Sequence, residues 1–200
     1  MTLFRGFIAI DIASTPHILT FENEIKKTGA DVKLVEPENI HITLKFLGDT
    51  EETMIDAIEQ CMKDSVATVK PFQITLRGTG VFPNKNYIKV IWLGIQDDGQ
   101  IEPIAQVLEE GLASLGFKKE KRGFSAHLTI GRIRTAKNKE KLLTTLEHHQ
   151  EDWDHRIDQS HRPLRHPQLQ KCPCRLYWHG STSPRNHRFL SLWARCHICL

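Results

Sequence analysis

The sequence contains the pattern His-x-Thr twice, in similar surroundings. The first copy lies in "NIHITLKFLGD" and carries His41 and Thr43; the second lies in "FSAHLTIGRIR" and carries His127 and Thr129. In a β-strand, residues i and i+2 point to the same face, so each copy presents one imidazole and one hydroxyl to a common surface. If a pseudo-two-fold axis relates the two strands, all four polar side chains converge on one cleft.

Two facing imidazoles suit phosphoester chemistry that needs no metal. A neutral histidine can take a proton from the attacking water or hydroxyl, and an imidazolium can protonate the departing oxygen. Each such proton transfer typically contributes about 10²–10⁴-fold to the rate. The threonine hydroxyls can donate hydrogen bonds to the non-bridging phosphate oxygens as charge develops there.

Two arginines follow the second copy, but simple alternation does not direct them to the same surface. Arg132 and Arg134 lie five and seven residues after His127, which places them on the opposite face of a regular strand. Only a twist or a β-bulge would bring one of them to the cleft. Arginine participation is therefore a weaker expectation than that of the four motif residues.

Other residues near the motifs have structural interpretations. The pattern predicts that Phe46 packs against helices on the far side of its strand, and that Lys45 is solvated. We expect Trp92 and Phe82 in the core or the cleft wall, although stacking on a nucleobase is open to them. The basic run 118–122 is by default a solvated surface, but it could also steer a polyanion towards the cleft.

Hydrophobic periodicity predicts the elements that position these residues. Strands and helices alternate up to about residue 150, with hairpin-like strand pairs between them. An α+β architecture built from two similar halves follows. The predicted strands are "LFRGFIAIDI", "DVKLV", "IHITLKFLGD", "PFQITLRGTGVF", "YIKVIWLGIQ" and "AHLTIGRIRT", and the predicted helices are "PHILTFENEIKKTG", "EETMIDAIEQCMKDSV" (capped by Asp49 or Thr50), "GQIEPIAQVLEEGLASLGF" and "NKEKLLTTLEHHQ".

Composition narrows the class of protein. The chain has 200 residues, 40% of them hydrophobic, which allows one globular domain or two small lobes. No apolar run approaches the length of a membrane span, and the N-terminal run reads as a strand rather than a signal peptide, so we expect a cytoplasmic protein. The formal charge of +3 does not by itself imply nucleic-acid binding. Five cysteines without a secretion signal do not suggest a disulfide framework.

The chain changes character near residue 150. Before that point Lys outnumbers Arg, and after it Arg outnumbers Lys, no Val occurs, and Asp158 is the last acidic residue. No sustained period of 2 or 3.6 continues, so the pattern assigns no packed elements. We therefore divide the chain into a domain at 1–150 and an atypical cationic tail at 151–200. The tail is either a loosely ordered extension or a segment translated from a shifted reading frame.

The motifs, with two further segments, resemble the 2H phosphoesterase superfamily, specifically its RNA 2′,3′-cyclic phosphodiesterase branch, also called 2′-5′ RNA ligase. The resemblance covers 1–150 in order and spacing. It implies a bilobed, duplicated fold of two antiparallel sheets facing a central cleft, with helices outside. The segments that carry it are "RGFIAID", "NIHITLKFLGD", "IKVIWLGI" and "HLTIGRIR".

The resemblance also implies an activity and roles. Members hydrolyse RNA 2′,3′-cyclic phosphate ends to the 2′-phosphate, and some join or cleave 2′-5′ linkages in tRNA halves, without cofactor or metal. By motif, His41 is the proton donor to the leaving 3′-oxygen and His127 is the acceptor that activates water. Thr43 and Thr129 bind the phosphate, and Arg132 is a further phosphate contact. We expect a monomer that acts on RNA termini or cyclic nucleotides and does not bind membranes.

The chain departs from the family pattern at two places. Ala126 stands where family members commonly have Pro before the second histidine. The family also normally ends with about two further strands that complete the sheets, and the pattern of 151–200 predicts none, which favours the shifted-frame interpretation. Missing partners would leave sheet edges uncovered.

Two alternatives remain open at the level of sequence. The chain could be a non-catalytic protein that binds RNA ends, or it could act on or bind a small cyclic nucleotide. Separately, "CPC" at 172–174 and "CHIC" at 196–199 could form a zinc site with His179 or His197. The intervening residues lack a ribbon-like pattern, which argues against that site.

Overall fold

A computed structural model describes residues 3–70, 72–149, 155–157, 174–180 and 192–193, the last three ranges as backbone only. Helices and strands alternate as the periodicity predicts, which confirms the α+β class. The elements are β1 (Leu3–Asp11), α1 (Pro16–Lys27), β2 (Val32–Leu34), β3 (His41–Glu51), α2 (Ile55–Val66), β4 (Ile74–Pro83), β5 (Ile88–Gln96), α3 (Ile101–Ser114), β6 (His127–Ile133), α4 (Lys139–His148), β7 (His155–Ile157), β8 (Cys174–Gly180) and β9 (Leu192–Trp193).

Local sequence signals explain the limits of α1. Thr15 caps the helix, because its hydroxyl accepts a hydrogen bond from the backbone N–H of Ile18 at 3.4 Å. Pro16 occupies the first turn, where its missing N–H costs nothing. After the helix, Gly29 adopts a φ of 66°, a left-handed conformation that glycine tolerates at a helix end. The buried residues Ile18, Phe21 and Ile25 form one stripe that faces the core.

The second helix begins later than predicted. We expected helical residues from Glu51 onward, capped by Asp49 or Thr50, but β3 continues through Glu51, which pairs with Leu3 of β1. A single 3₁₀ turn at Glu52–Met54 follows before α2 starts at Ile55. Pairing with β1 continues through 49–51 and provides partners for the backbone N–H and C=O groups there. Thr50 is therefore buried in the sheet and does not cap a helix.

The strands form one hydrogen-bonded path of antiparallel pairs. Its order is β7-β4-β5-β6-β3-β1-β8-β9, and β2 pairs with β6 beside the path. The two halves meet where β3 pairs with β6 through one residue pair, Ile42 with Leu128. The prediction of two separate sheets is therefore wrong as regards hydrogen bonding, because this pair joins them. A duplicated, two-lobed arrangement stays a prediction.

The core lies on the helical side of the strands. Ile8 and Ile42 from the first half and Ile91 and Leu128 from the second are each at most 1% exposed. Buried stripes of the helices cover them, including Leu108 and Leu112 of α3. Because side chains alternate along a strand, covering one face in this way leaves the other for polar residues.

Three short strands lie in the tail, where the pattern predicted no packed elements. β7 pairs with β4, β8 pairs with β1 along its whole length, and β9 pairs with β8. An edge strand offers unpaired N–H and C=O groups to any extended segment. Residues 174–179 of β8 do alternate in polarity, but the run is short and stands in a tail without a sustained period. The other residues of 150–200 lie outside the described part, and a shifted-frame origin of the tail stays a prediction.

Candidate active site

The pairing of β3 with β6 brings the two His-x-Thr copies side by side. Ile42 pairs with Leu128, and both are buried on the core side. The antiparallel register on either side of this pair sets His41 next to Thr129 and Thr43 next to His127. All four are partly exposed. The structure thus brings together the four residues that the sequence selected, with each histidine beside the threonine of the other copy.

A β-bulge in β6 turns Arg132 towards the same surface. Trp92 of β5 pairs with Thr129, but the next residue, Ile91, pairs with Gly131, so Ile130 is inserted without a partner. Arg132 then pairs with Val90. Directly paired residues share a face, and Val90 shares its face with Trp92, so Arg132 points to the same side as Thr129. Simple alternation predicted the opposite face, and the inserted residue is the physical reason that it was wrong.

A second bulge reorders β3 after its motif. Ala9 pairs with Thr43 and Ile8 with Lys45, which leaves Leu44 as the inserted residue. Lys45 therefore points to the core side, where it is 4% exposed, and Phe46 points to the cleft side, where it is 64% exposed. The predictions that Lys45 is solvated and that Phe46 packs against helices are therefore both wrong, because the inserted residue exchanges the two faces of the strand.

Each catalytic candidate is oriented by a backbone carbonyl two residues before it. The Nδ1 atom of His41 lies 2.7 Å from the carbonyl oxygen of Asn39, and Nδ1 of His127 lies 2.8 Å from that of Ser125. A carbonyl oxygen can only accept, so Nδ1 carries a hydrogen in both rings. Proton exchange with a substrate therefore falls to Nε2 in both histidines.

Aromatic rings flank both histidines. Phe7 stacks on His41 with ring centroids 4.9 Å apart. Phe82 and Trp92 meet the ring of His127 edge-on, at 5.2 and 6.3 Å, and stack on one another at 5.4 Å. Trp92 and Phe82 thus lie against His127 on the face of the sheet that carries the second motif.

Gly80 makes room for the Trp92 ring. A Cβ atom at this position would lie 2.1 Å from an indole carbon, closer than real contacts allow. Gly80 and Trp92 are also directly paired across β4 and β5. The absence of a side chain at residue 80 therefore lets Trp92 lie flat against the strand beside His127.

The surroundings of His41 act on its protonation. Burial lowers the pKa of His41, and the positive charges of Arg132 and His127 lower it further. The hydrogen bond to Asn39 and the negative charge of Asp11 oppose this shift. Asp11 pairs directly with His41 across β1 and β3. Sequence reasoning missed Asp11, although alternation in "FIAID" already puts it on one face with Phe7.

Lys45 and Glu109 form an ion pair behind the motif strand. Lys45 Nζ lies 2.9 Å from Glu109 Oε2 and donates a hydrogen bond to the carbonyl oxygen of Lys118 at 2.7 Å. Glu109 in turn accepts from the backbone N–H of Glu120 at 2.5 Å. The pair thus fastens β3 to α3 and to the segment that leads into His127. Nothing local in the sequence signals it, because the two residues lie 64 positions apart.

The described residues include neither a candidate metal cluster nor a helix that could span a membrane. Among the residues whose side chains are described, no group of three or more His, Cys, Asp or Glu could hold a metal ion. The side chains of the predicted zinc ligands at 172, 174, 179, 196, 197 and 199 lie outside the described residues. None of the described helices is long and apolar enough to cross a membrane.

Comparison with known sequences identifies similar proteins. A family model described as the 2′-5′ RNA ligase superfamily matches residues 16–162. An RNA 2′,3′-cyclic phosphodiesterase of Methanothermobacter thermautotrophicus is 39% identical over 140 residues, 69% of this chain and 76% of that protein. A protein of the same name from Methanocaldococcus jannaschii is 42% identical over 145 residues, 72% of this chain and 79% of that protein.

Solved structures show the same fold at low sequence identity. TT0787 of Thermus thermophilus aligns with a TM-score of 0.63 at 18% identity, over 96% of this chain and 99% of that one. LigT of E. coli in its apo form aligns with a TM-score of 0.56 at 19% identity, over 96% of both chains.

Proposed function

The chain belongs to the 2′-5′ RNA ligase superfamily, and on that basis we propose that it hydrolyses RNA 2′,3′-cyclic phosphate ends to the 2′-phosphate. The observation that carries this proposal is the pairing of Ile42 with Leu128, which sets the two histidine and threonine pairs on neighbouring strands and on one face of the sheet. Similar proteins with 39% and 42% identity bear the name of this activity.

In the proposed reaction His127 accepts one proton and His41 donates one. Nε2 of His127 takes a proton from water, whose oxygen attacks the phosphorus. The bond from phosphorus to the 3′-oxygen breaks, and Nε2 of His41 delivers its proton to that oxygen. The product carries a 2′-phosphate and a 3′-hydroxyl, and a proton returns from His127 to His41 through solvent before the next turnover.

Thr43, Thr129 and Arg132 are proposed to hold the phosphate. The threonine hydroxyls donate to non-bridging oxygens, and the guanidinium of Arg132 compensates charge that grows as the water attacks. Their common face with His127 supports this role, since the β6 bulge directs Arg132 to that side.

His41 can act as the acid only if the bound substrate raises its pKa. Burial lowers the pKa of His41, which disfavours the imidazolium that an acid must supply. A cyclic phosphate brings a negative charge against the ring, and an opposite charge within about 4–6 Å favours the charged form. We propose that the bound phosphate, together with Asp11, raises the pKa of His41 enough to protonate it.

The aromatic rings beside the histidines are proposed to contact the nucleoside. Phe46 lies on the cleft face, 64% exposed, and its ring centroid is 6.0 Å from that of Phe7, which stacks on His41. An exposed ring next to a phosphate site offers a surface on which a base can stack without regard to its identity.

A second activity uses the same groups. If the 5′-hydroxyl of another RNA replaces water, His127 deprotonates it, the 3′-oxygen leaves as before, and a 2′-5′ linkage results. The matched family model carries ligation in its description. We also propose that the protein is a monomer, because both motifs come from one chain, and sedimentation measurements test this. We propose further that it acts in the cytoplasm.

Hydrolysis of 2′,3′-cyclic nucleotides in EDTA tests the main proposal. We expect turnover that yields the 2′-phosphate, identified by chromatography against both phosphate isomers. Binding of the cyclic nucleotide without turnover would instead support the alternative of a non-catalytic RNA-end or cyclic-nucleotide binding protein. Products with a 3′-phosphate would contradict the proposed leaving group.

A further inference from the structure

A basic groove borders Arg132, where β6 ends and the chain leads into α4. It has a volume of about 380 Å³ and lies between the β4–β5 turn, the end of β6 and the segment that leads into α4. Among the described residues that line it there is no Asp or Glu. Its five cationic side chains are Lys89, Arg132, Arg134, Lys137 and Lys139.

Arg132 connects this groove to the proposed phosphate site. It lines the groove and also shares the face of Thr129 and His127. The opposite end of the cleft has a different charge, because the cavity of about 550 Å³ beyond His127 is lined by Asp97 and Asp98 as well as by Arg77. A polyanion that enters the cleft is therefore attracted towards the Arg132 end.

Tyr87 adds an aromatic surface to the groove. Its side chain is 62% exposed, and Lys89 Nζ lies over the ring, 5.1 Å from the centroid. Cationic side chains interleaved with an exposed ring are typical of surfaces that bind single-stranded nucleic acid, since the cations contact phosphates and the ring stacks on a base.

The groove is preformed by contacts between its walls. Asn84 Oδ1 accepts hydrogen bonds from the backbone N–H groups of Asn86 and Tyr87, both at 3.0 Å, which fixes the turn that presents Tyr87. Lys139 Nζ donates to the carbonyl oxygen of Asn86 at 3.1 Å and so ties α4 to that turn. Binding therefore needs little ordering of the backbone.

We propose that this groove binds the RNA strand on the 5′ side of the terminal cyclic phosphate, with its cations on successive phosphates and Tyr87 stacked on a base. The inference rests on the proposed function for its placement of the 3′ end. The terminal phosphate is the 3′ end of such a substrate, so the rest of the strand leaves the site in one direction, and we propose that it runs past Arg132 into the groove. A cyclic mononucleotide reaches Arg132 but is too short to contact Tyr87 and the lysines of the groove.

The test compares a 2′,3′-cyclic mononucleotide with a short single-stranded oligoribonucleotide that ends in the same cyclic phosphate. In Lys89→Gln/Lys137→Gln we expect KM for the oligonucleotide to rise about tenfold. The slope of log(kcat/KM) against log salt should become less steep by about 1.4, because two phosphate contacts are lost at about 0.7 each for a single strand. Mononucleotide kinetics should not change. Lys26→Gln/Lys27→Gln, at the end of α1, is the matched control and should change neither substrate.

Tyr87→Ala and Tyr87→Phe separate stacking from folding. We expect Tyr87→Ala to raise KM for the oligonucleotide at least about fivefold, and Tyr87→Phe to leave it unchanged because the ring remains. The proposal would be overturned if wild type, Lys89→Gln/Lys137→Gln and Tyr87→Ala had the same kinetics on the oligonucleotide. So would a loss confined to Lys118→Gln/Lys119→Gln, which would assign the RNA path to the run at 118–122.

Direct binding keeps the test independent of turnover. Fluorescence anisotropy of a labelled oligoribonucleotide with a 3′-terminal 2′-phosphate should show the same loss of affinity in the groove variants. If wild type turns over neither substrate, the proposed function fails, and the groove is still judged by this affinity. If turnover is normal and affinity is equal in all variants, the groove inference alone is wrong.

Discussion

Ile42 of β3 pairs with Leu128 of β6, and this one residue pair joins the strands that carry the two His-x-Thr copies. Because the pair is buried, its neighbours on both strands turn to the opposite, cleft face. The acid and base candidates are thus positioned by an apolar contact of the core, while the polar residues remain available to a substrate.

The first prediction concerns the protonation of His41. In the ligand-free protein we expect its pKa below 6.5, chiefly because of burial. Asp11→Asn should lower the pKa further, since it removes the charge that stabilises the imidazolium, and Arg132→Gln should raise it. NMR titration of the imidazole resonances measures all three, with Arg122→Gln as a remote control. A rise in Asp11→Asn would contradict the electrostatic account.

Local periodicity predicted most helices and strands of 1–150, and it placed the histidine and threonine of each motif copy on one face of a strand. Alternation was enough to put His41 and Thr43 on one face. It failed at Phe46 and Arg132, where the bulges at Leu44 and Ile130 each insert one residue and exchange the faces beyond it. An inserted residue has no signature of its own in an alternating pattern.

Long-range pairs were equally beyond prediction. Lys45 pairs with Glu109 across 64 positions, and Asp11 reaches His41 only through the register of β1 with β3. Residues 174–179 of β8 do alternate in polarity, but their pairing with β1 depends on the edge that β1 offers, which is a property of the folded sheet. In each case the tertiary arrangement, which no local window contains, decides the contact.

Phe46 gives a prediction about substrate affinity. We expect Phe46→Ala to raise KM by the equivalent of about 1–3 kcal/mol, because a stacked base loses its platform, with a smaller change in kcat. Phe46→Trp should keep KM near the wild-type value. Unfolding in urea should be little altered by either change, since the side chain is 64% exposed. Unchanged KM in Phe46→Ala would remove this residue from the substrate site.

The Lys45–Glu109 pair gives a prediction about stability. Glu109→Leu should lower the free energy of unfolding by about 2–4 kcal/mol, because it removes the nearer carboxylate of the buried Lys45 ammonium and leaves it with that of Glu120, which is 3.9 Å away and largely exposed. Lys45→Met/Glu109→Leu should recover much of that loss, since no charge is then stranded.

Urea denaturation compares these variants with Glu59→Leu, whose partly exposed partner Lys63 lies 3.0 Å away on the same helix. That control should cost less than about 1 kcal/mol. If the double variant is no more stable than Glu109→Leu alone, the cost comes from packing around residue 109 and not from the stranded charge.

The central claim is that His41 and His127 together hydrolyse a 2′,3′-cyclic phosphate without a metal. The most direct measurement is the rate of 2′-phosphate formation in EDTA for wild type, His41→Ala and His127→Ala, with the exposed His148→Ala as control. We predict turnover by wild type and His148→Ala, and a fall in kcat of at least about 100-fold in each of the other two. Wild-type rates in either His41→Ala or His127→Ala would contradict the account.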